Sequence, residues 1–278
     1  MISSPIKEQR PVVVRDLDAP ESNSRGGVLI INADDWGRDK ATTQATLDCT
    51  CRGTVSSVSG MVFMEDSERA AAVARERGID VGLHLNFTTP FTGLTCSSGL
   101  KSQQSKLAAY LGKHPMARTV FHPGLAQAFE SVVTAQIEEF ERLYGSRPRR
   151  IDGHHHQHLC ANVLLGGLLP EGIVARRNFT FRRGEKSFVN RAYRQGMDRL
   201  LRRERYLVDG LFSLPPLHPM SRLHGIVSFA RKHVVELETH PINPEEYSFL
   251  MGGGIFELVG NMPIASSFDV PEGSSRTV

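Results

Sequence analysis

The chain has 278 residues, 40% of them hydrophobic and 23% charged, with a formal net charge of +3. That profile fits a soluble globular protein of one large domain or two small ones. So small a surplus argues against nucleic acid as a partner, and no apolar run approaches the roughly eighteen residues of a membrane span.

Residues 1–25 are polar, hold prolines and serines without sustained periodicity, and are expected to form a disordered tail. The opening MISSPIKEQRPVVVRD has no continuous apolar core, so it does not read as a secretory signal. Order is expected from Gly27, where VLIIN is an apolar run suited to a strand buried on both faces. It ends in Ala33-Asp34-Asp35-Trp36-Gly37. Two adjacent carboxylates at the end of a buried strand are costly unless they meet a cation. One of them capping the next helix would not explain the pair.

A helix over 39–52, stopped by Gly53, leads to a strand over 55–63 and a helix over 67–78 closed by Gly78. A third strand, Asp80-Val81-Gly82-Leu83-His84-Leu85-Asn86, carries His84 and Asn86. Residues 88–122 are rich in Gly, Ser, Pro and Thr and read as a long covering loop, with His114 and His122 at the surface. The stripe of Leu125, Phe129, Val132, Val133, Ile137, Phe140 and Leu143 predicts a helix over 124–144, stopped by Gly145.

Next comes Asp152-Gly153-His154-His155-His156-Gln157-His158, four of the eleven histidines within five positions. If the segment is extended, Asp152, His154, His156 and His158 share one face. Imidazole is a common ligand of divalent transition ions and also titrates near neutral pH. Further elements are predicted as a helix over 159–169, a strand over 172–179, a helix over 187–204, a strand over 206–212, a short helix over 219–231 and a last strand, HVVELETHP, that delivers His240. The arginines of the 190–204 region read as a solvated basic face. Residues 26–263 are expected to be a single domain and 264–278 a disordered tail. The four cysteines (Cys49, Cys51, Cys96, Cys160) lack CxxC spacing and suit a reduced, cytoplasmic setting.

Strands alternating with helices predict an α/β fold of parallel βαβ units, either a barrel or a doubly wound sheet. Both gather chemistry at the C-terminal strand ends. Asp34, Asp35, His84, His154 and His240 all fall at such ends.

"LIINADDWG", "DVGLHLN", "RIDGHHHQH" and "VELETHP" resemble, in order and spacing, the signatures of the YdjC-like (ChbG-type) carbohydrate deacetylases over about residues 28–243. The resemblance implies a distorted (β/α) barrel, a divalent metal ion and hydrolysis of an N-acetyl group from an amino sugar or oligosaccharide. Carried over residue by residue, it makes Asp35, His84 and His154 the metal ligands, Asp34 the base and His240 the acid. It also places Arg176 on the substrate side. Asp152, His156 and His158 would orient the ligands, and Asn86 falls beside them on the His84 strand. The glycine-rich segment after His240 is shorter than the family's usual closing helix, and 88–122 matches none of its motifs.

Two imidazoles and a carboxylate leave positions open for water and substrate. Such a donor set suits zinc or a similar ion, whereas magnesium prefers oxygen; the resemblance admits either. Two rivals stand beside the deacetylase. A two-metal phosphoesterase acting on a sugar phosphate would need a further carboxylate, for which Glu238 is the candidate, and a non-catalytic sugar-binding homologue would need no turnover. The sequence marks no subunit interface, so a homo-oligomer is left open.

Overall fold

A computed structural model describes residues 12–13, 27–113, 116–181, 185, 187–265 and 268–269. In chain order, β1 (Val12–Val13) precedes β2 (Val28–Trp36), α1 (Lys40–Arg52), β3 (Ser57–Gly60), α2 (Ser67–Arg77) and β4 (Val81–Leu85). Then come α3 (Ser98–Lys113), α4 (Ala126–Tyr144), β5 (Arg150–Gly153), α5 (Ala161–Leu165) and β6 (Val174–Ala175). The chain finishes with α6 (Phe188–Leu201), β7 (Gly210–Ser213), α7 (Met220–Ala230), β8 (Val234–Thr239), α8 (Pro244–Met251), α9 (Gly254–Val259) and β9 (Phe268–Asp269).

Strands β2 to β8 pair in parallel in the order β6-β5-β4-β3-β2-β8-β7. Parallel neighbours need a crossover, and the intervening helices supply it. The sheet curls until its outer strands approach each other. Ala175 N–H donates to Tyr206 O at 2.9 Å, Tyr206 N–H to Ile173 O at 2.9 Å, and Thr180 N–H to Leu211 O at 2.8 Å. The result is the distorted barrel expected from the resemblance.

Strand alternation then assigns the faces. Along β2, Leu29, Ile31 and Ala33 point outward into an apolar layer shared with α1, α7, α8 and α9. Leu83, Leu85 and Ile151 face a second layer beneath α3 and α4. The inward set is different. Ile30, Val174, Val208, Val234 and Ala265 plug the N-terminal end of the barrel. Above them the interior turns polar, with Asn32, Asp34, Ser57, Ser59, Arg150, Asp152, Arg176 and Glu236 all buried.

Gly53 and Gly145 take the left-handed conformation (φ 80° and 77°) that ends α1 and α4 where the sequence puts those ends. The cap of α1 is Asp39, which accepts from Thr42 N–H at 2.8 Å, and not Asp34 or Asp35.

Two regions differ from expectation. The long loop holds α3, whose Leu107 and Leu111 are buried. Gln104 ties α3 to the preceding turn, accepting from Phe91 N–H at 3.1 Å and donating to Thr89 O at 2.6 Å. Its 104, 107, 111 spacing was masked by Gly and Ser content. His122 is exposed as expected, and His114 lies outside the described residues. At the other end, Ile264 bridges to Leu29, and Ala265 N–H donates to Leu29 O at 2.8 Å. The chain past 263 therefore begins by sealing the barrel floor. Val12–Val13 also pairs with Phe268–Asp269 inside the two expected tails; tail residues 1–11, 14–25, 266–267 and 270–278 lie outside the described ones.

Candidate active site

The adjacent carboxylates at the tip of β2 go to different places because the backbone turns between them. Asp35 has φ 66°, and the register of β2 against β3 shifts between Ala33 and Trp36. A left-handed residue is costly for most side chains and least so for Asn or Asp. Asp34 keeps the inward phase of the strand, while Asp35 lies against two histidines and Arg38.

His84 and Asp152 are register partners on β4 and β5. His84 Nδ1–H donates to Asp152 Oδ1 at 2.7 Å, which fixes the ring and leaves Nε2 facing the other way. That Nε2 is buried and makes no hydrogen bond, and neither does Oδ1 of Asp35, 3.4 Å from it. Nδ1 of His154 lies 3.0 Å from the same oxygen. Ligand atoms of Asp35, His84 and His154 all fall within 4.8 Å of one another. Buried polar atoms are rarely left unpaired. Two imidazole nitrogens and a carboxylate oxygen gathered this way fit a divalent transition ion. Arg38 holds the other Asp35 oxygen at 2.6 Å.

The histidine tract is not extended. Residues His154–Leu159 form a 3-10 segment in which His155 and His156 have φ 54° and 55°. The expected common face for Asp152, His154, His156 and His158 therefore does not exist. His154 reaches the Asp35–His84 pair. His155 lies above it with its ring 3.9 Å from that of His154, and burial with the His154 charge pushes its pKa down to about 4. His156 turns to Glu238, Nε2 to Oε2 3.2 Å, and stacks edge-on against Phe179. His158 is buried and donates from Nε2 to Arg176 O at 2.9 Å; burial pushes it down to about 3, so it is neutral at physiological pH. The turn needs Gly153, where a Cβ would meet His158 N at 2.9 Å.

Beneath the tip lies an ion network. Arg176 is fully buried and grips both oxygens of Asp34 at 2.7 Å. It also reaches Glu236 at 2.8 Å, Asp152 at 3.1 Å and Glu238 at 3.4 Å. The substrate-side position expected for Arg176 is thus replaced by an interior one. Arg150 bridges Asp152 at 2.9 Å and the Ser57 hydroxyl at 2.8 Å. Burial alone would raise the Asp34 carboxyl, but Arg176 and His84 outweigh it and hold it below 3.8. Asp152 is lowered the same way, against burial, by Arg176 and His84. Burial also opposes ionisation of Asp35, yet the His154 and His84 rings hold it well below the usual range. His84 would be lowered by burial, but Asp34 and Asp152 push it up to about 10.

His240 follows β8 at the rim, with Nε2 4.0 Å from Asp34 Oδ2. Its N–H donates to Glu246 Oε2 at 2.9 Å. Asn86 is not part of this group. It is buried, accepts from the N–H groups of Thr88 and Thr89 at 3.1 and 2.9 Å, and shapes the turn after β4.

Arg150, Glu236 and Arg38 were missed in the sequence. Glu236 and Glu238 share a phase on a strand buried on both faces, and Arg150 stands two residues before Asp152, so the inward set was detectable by alternation. Beside His156 a cavity of about 350 Å³ opens, walled by Arg118, Phe179, Tyr193, Arg194 and Met197.

A family model described as "YdjC-like protein" matches residues 28–241. A chitooligosaccharide deacetylase from Yersinia pestis (strain Pestoides F) is 32% identical over 139 residues, 49% of this chain and 52% of that protein. A carbohydrate deacetylase from Danio rerio is 32% identical over 139 residues, 49% of this chain and 43% of its own length. The chain thus spans about half the length of the curated relatives it matches. A crystal structure from Enterococcus faecalis V583, described as a candidate cellobiose-phosphate cleavage protein, superposes with TM-score 0.61 at 17% identity, covering 88% of this chain and 98% of that one.

Proposed function

Since the chain belongs to the YdjC-like family, we propose that it is a metal-dependent hydrolase that removes the N-acetyl group of an amino sugar or short oligosaccharide. The observation that carries this reading is the pair of orphaned buried atoms, Asp35 Oδ1 and His84 Nε2, beside His154 Nδ1 and next to a separate acid–base pair, Asp34 and His240. The deacetylase names of the two relatives support the substrate class.

Asp35, His84 and His154 would hold one divalent ion, with Asp152 steadying His84 from behind. Bound there, the ion supplies a Lewis acid that acidifies water and polarises the acetamide carbonyl. The nitrogen-rich donor set favours zinc or a similar transition ion over magnesium.

Asp34 Oδ2 lies 3.9 Å from His84 Nε2 and 4.0 Å from His240 Nε2. Asp34 therefore stands between the ligand cluster and the rim, placed to take the proton of the attacking water. Its lowered pKa makes it a weak base toward ordinary water and a competent one toward acidified water. Arg176 keeps that carboxylate in one orientation and ionised. His240, partly open to solvent, would pass a proton to the leaving amine, a contribution of roughly a hundred- to ten-thousand-fold for a well-placed acid. His156 and Phe179 would border the sugar in the adjoining cavity.

Asp34, Glu238 and His240 also lie close enough to share an ion, as a two-metal phosphoesterase would require. Arg176 argues against it, since its guanidinium already contacts both Asp34 and Glu238 where a second cation would stand. Four free thiols fit a reducing, cytoplasmic setting. The test is acetate release from N,N′-diacetylchitobiose, with and without chelator, beside phosphate release from a sugar phosphate. Phosphate without acetate would overturn the proposal.

A further inference from the structure

The first half of helix α6 turns apolar side chains outward, while Met197, Leu200 and Leu201 in its second half pack inward. Its inner face is set by Asp198 and Leu201, both buried. Asp198 Oδ2 accepts from Arg177 at 2.8 Å, and Asp198 Oδ1 from Asn178 N–H at 3.0 Å. On the opposite side, at helical spacing, stand Phe188 and Val189, each 76% exposed, and Tyr193, 43% exposed. Exposed Ala192 and Gly196 lie between them and add no charge. Among the described residues the other exposed large apolar side chains that fall close together in the chain are Met116, Val120 and Phe121, flanking the Arg118 and Thr119 that wall the cavity beside His156, whereas those here line one helix.

Around this stripe the charge is one-sided. The described residues 187–205 hold six basic and two acidic residues. Both acids are paired, Asp198 buried against Arg177 and Glu204 with Arg205. Arg199 and Arg203 are exposed along the outward side. A second copy of the same helix would bring like charges together, which is unfavourable for self-association. An apolar stripe edged by arginines matches an anionic bilayer surface, with rings and methyls in the headgroup–acyl boundary and guanidinium groups among the phosphates.

We propose that α6 is a peripheral docking surface for an anionic membrane, seating the protein through Phe188 and Val189 with Arg199 and Arg203 on lipid phosphates. Tyr193 belongs to both this face and the wall of the cavity beside His156, so a bilayer under α6 lies next to the cavity. The inference does not depend on the hydrolase reading.

The test is co-sedimentation of the full chain with vesicles of phosphatidylcholine alone and of phosphatidylcholine mixed with phosphatidylglycerol. Binding is expected only to the mixed vesicles and should fade toward 1 M salt, where the screening length falls to about 3 Å. Arg199→Gln with Arg203→Gln should weaken partition on the order of thirty-fold, at about 1 kcal/mol per charge. Phe188→Ser with Val189→Ser should abolish it, with thermal unfolding unchanged because both side chains are exposed. No binding to mixed vesicles would overturn the proposal, as would variants that bind like the parent. So would binding absent while the chain dimerises through Phe188 and Val189, or pairs with an acidic protein instead.

Discussion

Nδ1 of His84 lies 2.7 Å from Oδ1 of Asp152, and this contact decides which nitrogen of the ring is free. The two residues face each other across adjacent strands, so backbone register holds them together. Asp152→Asn should therefore lower metal affinity by about ten- to a hundred-fold, the usual effect of losing a carboxylate behind a ligating histidine. Equilibrium dialysis against zinc reads the change. Unchanged affinity in a folded variant would remove Asp152 from the ligand set's support.

The two neighbouring aspartates should separate cleanly. Asp34→Asn is expected to abolish acetate release and retain the bound ion, whereas Asp35→Asn should lose the ion. Metal content by elemental analysis beside turnover distinguishes them. Loss of metal from Asp34→Asn would exchange their roles.

Removing the interior guanidinium should be severe. Arg176→Met leaves Asp34, Glu236 and Asp152 buried without their shared cation, a loss of roughly 3–5 kcal/mol. Arg147→Met, which breaks a solvent-exposed pair with Glu141 at 3.3 Å, should cost about 0–1 kcal/mol. Denaturant midpoints of the two variants make the comparison. Equal losses would mean that the interior network does not hold the barrel.

Stability in the presence of chelator should depend on pH at both ends. Asp34 and Asp152 are held below 3.8, so their contribution is present above that value and is lost as pH falls through their folded values. His84 is raised from 6.5 to about 10, so its contribution is full below 6.5 and is lost as pH rises toward 10. Glu236, pushed above 4.5 by burial, favours the folded state below 4.5 and loses that contribution as pH rises above it. Saturating zinc should flatten the alkaline limb, because a ligating imidazole must give up its proton. A flat alkaline limb in chelator would contradict the raised His84.

How much of this was legible depends on the distance over which each signal acts. Strand tips announce themselves locally. Asp34, Asp35, His84 and His240 each end an apolar run, and parallel topology brings such ends together. The histidine tract shows the limit. Alternation predicted one shared face, but Gly153 closes the strand, and the left-handed His155 and His156 send His154, His156 and His158 to three different partners. Two-residue periodicity carries no information once the backbone leaves the extended region. Helix α3 was hidden by composition, since Gln104 occupies an inward position where an apolar residue would have revealed the stripe. Arg176 was placed on the wrong side because its partners lie 142 residues upstream at Asp34 and 60 downstream at Glu236.

That last pattern has a consequence for assembly. The guanidinium that enters with the strand at mid-chain finds Asp152 close by, but Arg150 already shares that carboxylate, and the remaining acids, Asp34, Glu236 and Glu238, come with β2 and β8. Any half-built intermediate would bury an unmatched ion, so the sheet gains little until both ends of the chain have arrived. The barrel should form as one cooperative unit, and a cut between residues 176 and 234 should give two fragments that fold only when mixed.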